Sequence, residues 1–516
     1  MLQMHSRPTL MIVAGFLIAA ATLGGFPSCT VDNPLFCCTD SSDEFCSGKF
    51  TKCTVDPGRP FCDNKGEFPG SDDEPYTCVP DPHPELGTIC DVATDCPAAH
   101  PTCIDQHCQG CGAAADCEPS APVCSDTHAC TGCVVEADCS THTSTPHCGA
   151  GGACVACRDS GDCTDPSVPV CDTNGTCRTC QADAECPSEI CDEGSGKCVP
   201  ESEIVYVNGA TGVTSLPCNK AAPCKTIQLG VDAVGGSRLL VHVAPGEYPD
   251  RVTITGKSLE ISAFGVELAP LAGPGIDVKG SSTVLIEGIK IRNVGGTSGD
   301  GVRCLDDGSN APKLTLVNVT ITKNAGAAVN AAKCNLSLSG SSLVDNREGG
   351  VKLAASDFSV VNNVIVKNGS QSSSFGGVFI IERPPSGAAG ARFEFNTVSE
   401  NNAQVGSASG VMCGAVGEPL SLKNSIVFGN IGVGGQVDSG CAWTYSDIGP
   451  GGSIVAGTGN INMAPVFVNS LMNDYHLQLG SPGINAADPA ATVDVDTDGD
   501  ARPAGGRSDM GADEVL

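Results

Sequence analysis

From Ile204 to the C-terminus, short runs rich in Val, Ile and Leu alternate with Gly, Asn and Ser. Within a run the apolar residues take every second position, the period of a strand with one buried face. Five runs share a longer pattern: LTLVNVTITKN, LSLSGSSLVDN, FSVVNNVIVKN, FEFNTVSENN and LSLKNSIVFGN, ending at Asn324, Asn346, Asn368, Asn402 and Asn430. Six residues before each end lies a second polar or small position, namely Asn318, Gly340, Asn362, Asn396 and Asn424. The ends step by 22, 22, 34 and 28 residues. This pattern predicts a solenoid in which inward side chains stack from coil to coil and Asn or Gly turns the chain at the corners. No coil buries its inner face alone, and about ten coils at about 4.8 Å each make a rod of about 50 Å. Asn side chains stacked in such a rod bond to one another and to corner backbone, so the Asn columns read as structure rather than as a catalytic array.

Before Ile204 the pattern is set by cysteine. Between Cys90 and Cys198 twenty cysteines form five blocks of four, starting at Cys90, Cys111, Cys133, Cys157 and Cys180. Each block opens C-x5-C, a C-x2-C junction joins it to the next, and the starts are spaced 21, 22, 24 and 23 residues apart. The junctions Cys108-x2-Cys111 and Cys130-x2-Cys133 also fit zinc-ribbon spacing. The extra cysteines inside each block and the scarcity of apolar residues favour disulfides, which replace a core in small secreted modules. The pairing within a block stays open. His100, His107, His128, His142 and His147 keep no fixed place in the repeat and read as loop residues.

The N-terminus places Arg7 before an uncharged apolar stretch from Leu10 to about Phe26, the layout of an export signal. The chain has 33 cysteines; six lie downstream of the blocks, spaced like three pairs (Cys218 with Cys224, Cys304 with Cys334, Cys413 with Cys441), and seven upstream. Cys29, directly after the signal, is the odd one. Phe26-Pro27-Ser28-Cys29 resembles the acylation site of bacterial lipoproteins, which implies a lipid on Cys29 and no other membrane attachment. Export alone, with one free or intermolecular thiol, is the alternative. A formal net charge of -31 repels nucleic acid and excludes it as a partner.

The opening of the rod carries Tyr206-Val207-Asn208, Cys224-Lys225-Thr226-Ile227-Gln228 and Ala244-Pro245-Gly246-Glu247-Tyr248. Its close carries Ser481-Pro482, Ala487-Asp488-Pro489, a D-x-D-G-x-x-R loop from Asp496 to Arg502, and Asp509 to Glu514. With the repeats between them, these ends resemble the right-handed parallel β-helix proteins, the architecture of pectate lyases and of related bacterial surface proteins. The resemblance spans residues 204–516 and implies a mainly β, pectate-lyase-like fold.

Fold alone does not fix chemistry. The polygalacturonase-like signature is incomplete: Asn396-Thr397 is followed by Val398, Asp306-Asp307 stands out of order, and Gly-His-Gly and Arg-Ile-Lys are missing. For lyase chemistry the nearest approach to a cluster is Asp306, Asp307, Arg292 and Arg303. Asp494, Asp496 and Asp498 before Gly499 have the layout of a calcium loop, but its twelfth position is Gly505 where a bidentate Glu is required. An Asx-turn cap with Asp498 paired to Arg502 or Arg507 is the metal-free alternative.

The expected organisation is a signal at 1–28, a Pro- and Asp-rich segment at 29–88, five cysteine repeats at 89–199 and the β-helix at 204–516 with its cap at 481–516. The expected role is a non-enzymatic envelope, cell-surface or secreted protein, a disulfide stalk displaying a β-helix to a polysaccharide or surface protein. It needs no cofactor, unless calcium binds the Asp loop. The alternative is a lyase or hydrolase acting on acidic polysaccharide.

Overall fold

The computed structural model describes residues 102–516, apart from 297–298, 309, 405–408, 415–416 and 452, together with scattered residues between 53 and 101. The expected signal and the acylation site at Cys29 lie outside the described residues. The chain divides into two compact units, Met1–Thr179 and Cys180–Leu516.

In the first unit the cysteine blocks are disulfide modules. The first cysteine bonds the third and the second bonds the fourth: Cys90–Cys103 with Cys96–Cys108, Cys111–Cys124 with Cys117–Cys130, Cys133–Cys148 with Cys139–Cys154, and Cys157–Cys171 with Cys163–Cys177. The fifth block, in the second unit, pairs the same way. The thiolate ligands a zinc ribbon needs are therefore consumed, and the zinc reading falls. The third and fourth cysteines face each other across a short hairpin, as Cys124 does Cys130, yet each is bonded to the preceding loop. The two bridges thus interlock. An acidic residue just before the second cysteine closes that loop: Asp116 accepts from the Gly112 and Ala113 N–H groups at 2.9 Å each, and Asp138 accepts from Val134 and Val135. These N–H bonds hold both carboxyls below their ordinary range. Disulfides at this density belong to an oxidising setting outside the reducing cytosol.

The second unit is a right-handed parallel β-helix, the hand that parallel crossovers adopt. One sheet has ten strands, from Ile204–Val207 to Cys441–Thr444; the second has nine, from Gly246–Tyr248 to Asp447–Gly449; the third has seven, from Val252–Thr255 to Val411–Met412. Strands stack in register, so like residues meet: Leu314 on Leu336 on Phe358, and Leu316 on Leu338 on Val360. All six are buried. The helix Ile227–Ala233, capped by the Thr226 hydroxyl, seals the first coil. Gly230 is required there, because a Cβ would meet Val207 Cγ2 at 2.5 Å. The fifth cysteine module packs on this end through Ile190, which clusters with Ile204, Tyr206 and Leu240.

The corner between the second and third sheets carries the asparagine ladder. Asn324, Asn346, Asn368 and Asn401 each donate from Nδ2 to the next Oδ1, at 2.8, 2.9, 3.0 and 2.9 Å, ending on Asn430. The backbone N–H of each bonds the same oxygen. The ladder residue is therefore Asn401, not Asn402, which begins the strand Asn402–Ala403. The same one-residue shift moves Asn396. Asn318, Gly340, Asn362 and Asn424 have left-handed backbones, but in this coil Phe395 takes that role and Asn396 joins a second buried column with Asn363.

Candidate functional site

The four lyase candidates do not form one site. Arg292 lies on Lys290–Arg292 of the second sheet, Arg303 on Val302–Leu305 of the third. Arg292 is held by Glu267, with Glu247 at 3.3 Å. Arg303 is held by Asp277 at 2.9 and 3.0 Å. Asp306 accepts from its own turn at Gly308 N–H, and Asp307 is exposed beside it. The residue that sequence reasoning missed is Asp277. Its side chain is fully buried beneath Arg303, Lys279 at 2.8 Å and Arg251 at 3.4 Å. Burial opposes its charge, but Arg303 and Lys279 outweigh that and hold its carboxyl below the usual range.

Two concave surfaces stand out among the described residues of the rod. The first is a cleft of about 550 Å³ between the fifth module and the first sheet. Its chemistry is acidic: Glu260 and Glu287 stand on adjacent strands, two register positions apart, with Asp183, Asp192 and Glu193 of the module beside them. Burial raises the pKa of Glu260, assisted by Asp192; burial raises that of Glu287, assisted by Glu260. Sequence could not pair these glutamates with module residues, because the contact depends on docking of the module.

The second surface is a groove on the outer face of the second sheet. It consists of two openings of about 490 and 580 Å³ that share Asn293 and Lys323. Its floor is a polar row in register across three strands, Lys290, Thr320 and Ser342. Glu267 bonds both Lys290 and Arg292 at its edge. The row is readable in the sequence by aligning KIR, TIT and SLV.

The terminal Asp loop is a structural cap. Asp496 Oδ1 accepts from the Asp498 and Asp500 N–H groups at 2.8 and 2.9 Å, and Oδ2 from Glu514 N–H at 2.9 Å. Asp498 turns to His476 Nε2 at 2.9 Å, and Asp494 is exposed. Donors so divided do not fit a calcium loop. Nor does Asp498 pair with an arginine: Arg502 is buried against Glu514 at 2.9 Å and lies 4.5 Å from the centre of the Phe395 ring. Arg507 instead bonds the carbonyls of Ala486 and Ala487. His476 is partly buried, which opposes its charge, but Asp474 and Asp498 at its two nitrogens hold its pKa up at about 9. The downstream cysteines are bonded as Cys218–Cys224, Cys304–Cys334 and Cys413–Cys441. The last two bridges each tie successive coils of the rod.

A family model described as a right handed beta helix region matches residues 274–447. Among solved structures, the crystal structure of pectate lyase Pel9A is similar, at 14% identity over 61% of this chain and 96% of that chain, with a TM-score of 0.39. At that distance no residue role transfers. No curated protein matches the chain.

Proposed function

We propose that this is a non-enzymatic protein of the cell envelope or exterior, exported and held by a lipid on Cys29, whose cysteine modules carry a β-helix that binds a glycan or another surface partner. One observation carries the reading. The two mixed-charge clusters around the lyase candidates Arg292 and Arg303 are spent on internal pairs, Asp277 on Arg303 and Lys279, Glu267 on Lys290 and Arg292. An arginine so paired is a poor base, and a carboxylate so paired is a poor metal ligand. The reading requires no cofactor.

The acidic cleft favours a second reading. Two carboxylates with raised pKa on adjacent strands of a concave surface are the raw material of glycoside hydrolysis. The two readings separate in one assay. The purified protein is incubated with acidic and neutral polysaccharides, with calcium and with chelator. Unsaturated-product absorbance, reducing ends and co-sedimentation are followed together. Co-sedimentation without product is the expected result. Reducing ends that vanish in Glu260→Gln or Glu287→Gln would replace the first reading with the second.

A further inference from the structure

We infer that the acidic cleft between the fifth cysteine module and the first sheet binds a small linear polyamine, an aliphatic chain carrying two or more ammonium groups. Neither reading above gives this cleft a cationic ligand. Its lining holds Asp183, Asp192 and Glu193 from the module and Glu260 and Glu287 from the sheet, and no Lys, Arg or His. The two walls differ. Asp183 accepts from Cys191 N–H at 2.8 Å and Asp192 from the Gly194 and Ser195 N–H groups, so these acids are fixed by their own turns. Glu260 has no hydrogen bond or ion pair among the described residues, and Glu287 meets only the Asn318 amide, at 3.5 Å. Burial opposes the charge on both. Two partly buried carboxylates with no cation beside them are half of an ion pair that a ligand completes.

Ser262 points to the same ligand. It stands outward on the strand Ser258–Ser262, whose Leu259 and Ile261 turn to the core. In register it lies opposite Glu287 and two positions from Glu260. Ser262 is only 7% exposed and lines the cleft, yet its hydroxyl makes no hydrogen bond among the described residues. A buried hydroxyl without a partner is uncommon, and this one faces the two carboxylates. An ammonium group carries three N–H donors and no acceptor. Glu260, Ser262 and Glu287 offer it three acceptors.

The rest of the lining selects an aliphatic chain over a bare ion. Ile190, Val199 and Leu240 belong to the seam where module meets sheet, and they line the cleft as well. Leu239 and Phe264 stand 47% and 49% exposed on it. The Phe264 ring lies over Gly288, where a Cβ would meet its Cδ1 at 2.5 Å, so the glycine leaves the ring its place. An exposed ring beside carboxylates attracts an ammonium group to its face, and the methylenes of the ligand cover the aliphatic side chains. A hydrated divalent cation uses none of this apolar surface. A volume of about 550 Å³ suits a small molecule.

The test is calorimetric titration of the full chain with spermidine, with magnesium, with ammonium and with oligolysine. Spermidine is expected to bind more tightly than ammonium and to resist displacement by equimolar magnesium. Glu260→Gln and Glu287→Gln are each expected to weaken it about tenfold, and Phe264→Ala about threefold. Glu348→Gln, exposed on the rod outside the cleft, removes the same charge and leaves binding unchanged. Thermal melts of the variants separate misfolding from lost binding. Equal losses from Glu348→Gln and Glu260→Gln would reduce the effect to a diffuse ion atmosphere around a chain of net charge -31 and overturn the site. Displacement of spermidine by equimolar magnesium would make the cleft a metal site. Tighter binding of oligolysine that Glu260→Gln abolishes would make it a peptide site. Either outcome would overturn the ligand class, and no binding of spermidine would overturn site and ligand together.

Discussion

Between Cys90 and Cys177 the buried side chains are mostly half-cystines, and apolar residues such as Val134 and Val135 stand 87% and 56% exposed. From Val205 to Ile448 the interior is one continuous apolar cluster, threaded by few bridges and flanked by buried amide columns. Both regions are repeats, of 21–24 residues to the module and 22–34 to the coil. They differ in what one unit can do alone. A cysteine module closes on itself by two bonds and touches its neighbour only lightly, as Cys154 N–H does at the Pro119 carbonyl and Arg158 at Glu136. A coil has an open inner face and unpaired strand edges, so it is ordered only by the coils on either side. Repetition therefore gives separately cross-linked beads in one region and a cooperative rod in the other.

Reduction under native conditions breaks this comparison most severely if it is wrong. Each bridge contributes about 2–4 kcal/mol, and a module has little else. Excess thiol is expected to make residues 90–177 protease-sensitive while the rod keeps its β signal. Modules that stayed resistant would show a non-covalent core. Next in size is Arg502→Ala, which leaves Glu514 buried without its cation; a loss of about 3–5 kcal/mol in unfolding free energy from denaturant titration is expected, and a loss below about 1 kcal/mol would make the cap dispensable.

Asp447 tests the rod through pH. It is fully buried at the last coil, its Oδ2 has no hydrogen-bond partner among the described residues, and burial raises its pKa to about 6. The folded state therefore binds this proton more tightly than the unfolded chain. Its contribution is fully present below the ordinary carboxylate range, is lost as pH rises, and is gone above about 6. Asp447→Asn is expected to stabilise the rod by about 3 kcal/mol at pH 7.5 and by nothing at pH 3; a melt difference independent of pH would refute the assignment. The smallest effect is expected from Asn368→Ala, about 1–3 kcal/mol. In a cooperative rod it lowers the melting of the whole unit rather than opening one coil, a distinction that hydrogen exchange reads directly.

Much of this comparison was legible before any coordinates. The alternation in LTLVNVTITKN and its relatives gave the strands, and the recurring terminal Asn gave the stacking. The one-residue error at Asn401 arose because Asn401 and Asn402 are adjacent and identical, and only hydrogen-bond register separates them. Cysteine spacing marked the modules but left three pairings for each set of four. The acid before each second cysteine, Asp95, Asp116, Asp138, Asp162 and Glu185, repeats as faithfully as the cysteines. What could not be read was anything joining distant segments. The cleft needs Asp192 beside Glu260, and the groove needs Asn473 beside Thr320.

The interlocked bridges have a mechanical consequence. In a pulled, fully unfolded but oxidised module, the covalent path from Cys90 to Cys108 need not follow the eighteen peptide bonds of the chain. It crosses from Cys90 to Cys103 and needs only the five that remain. Every module short-circuits tension in this way, and only two residues separate one from the next. Under shear the module array can lose its fold and still gain little contour length.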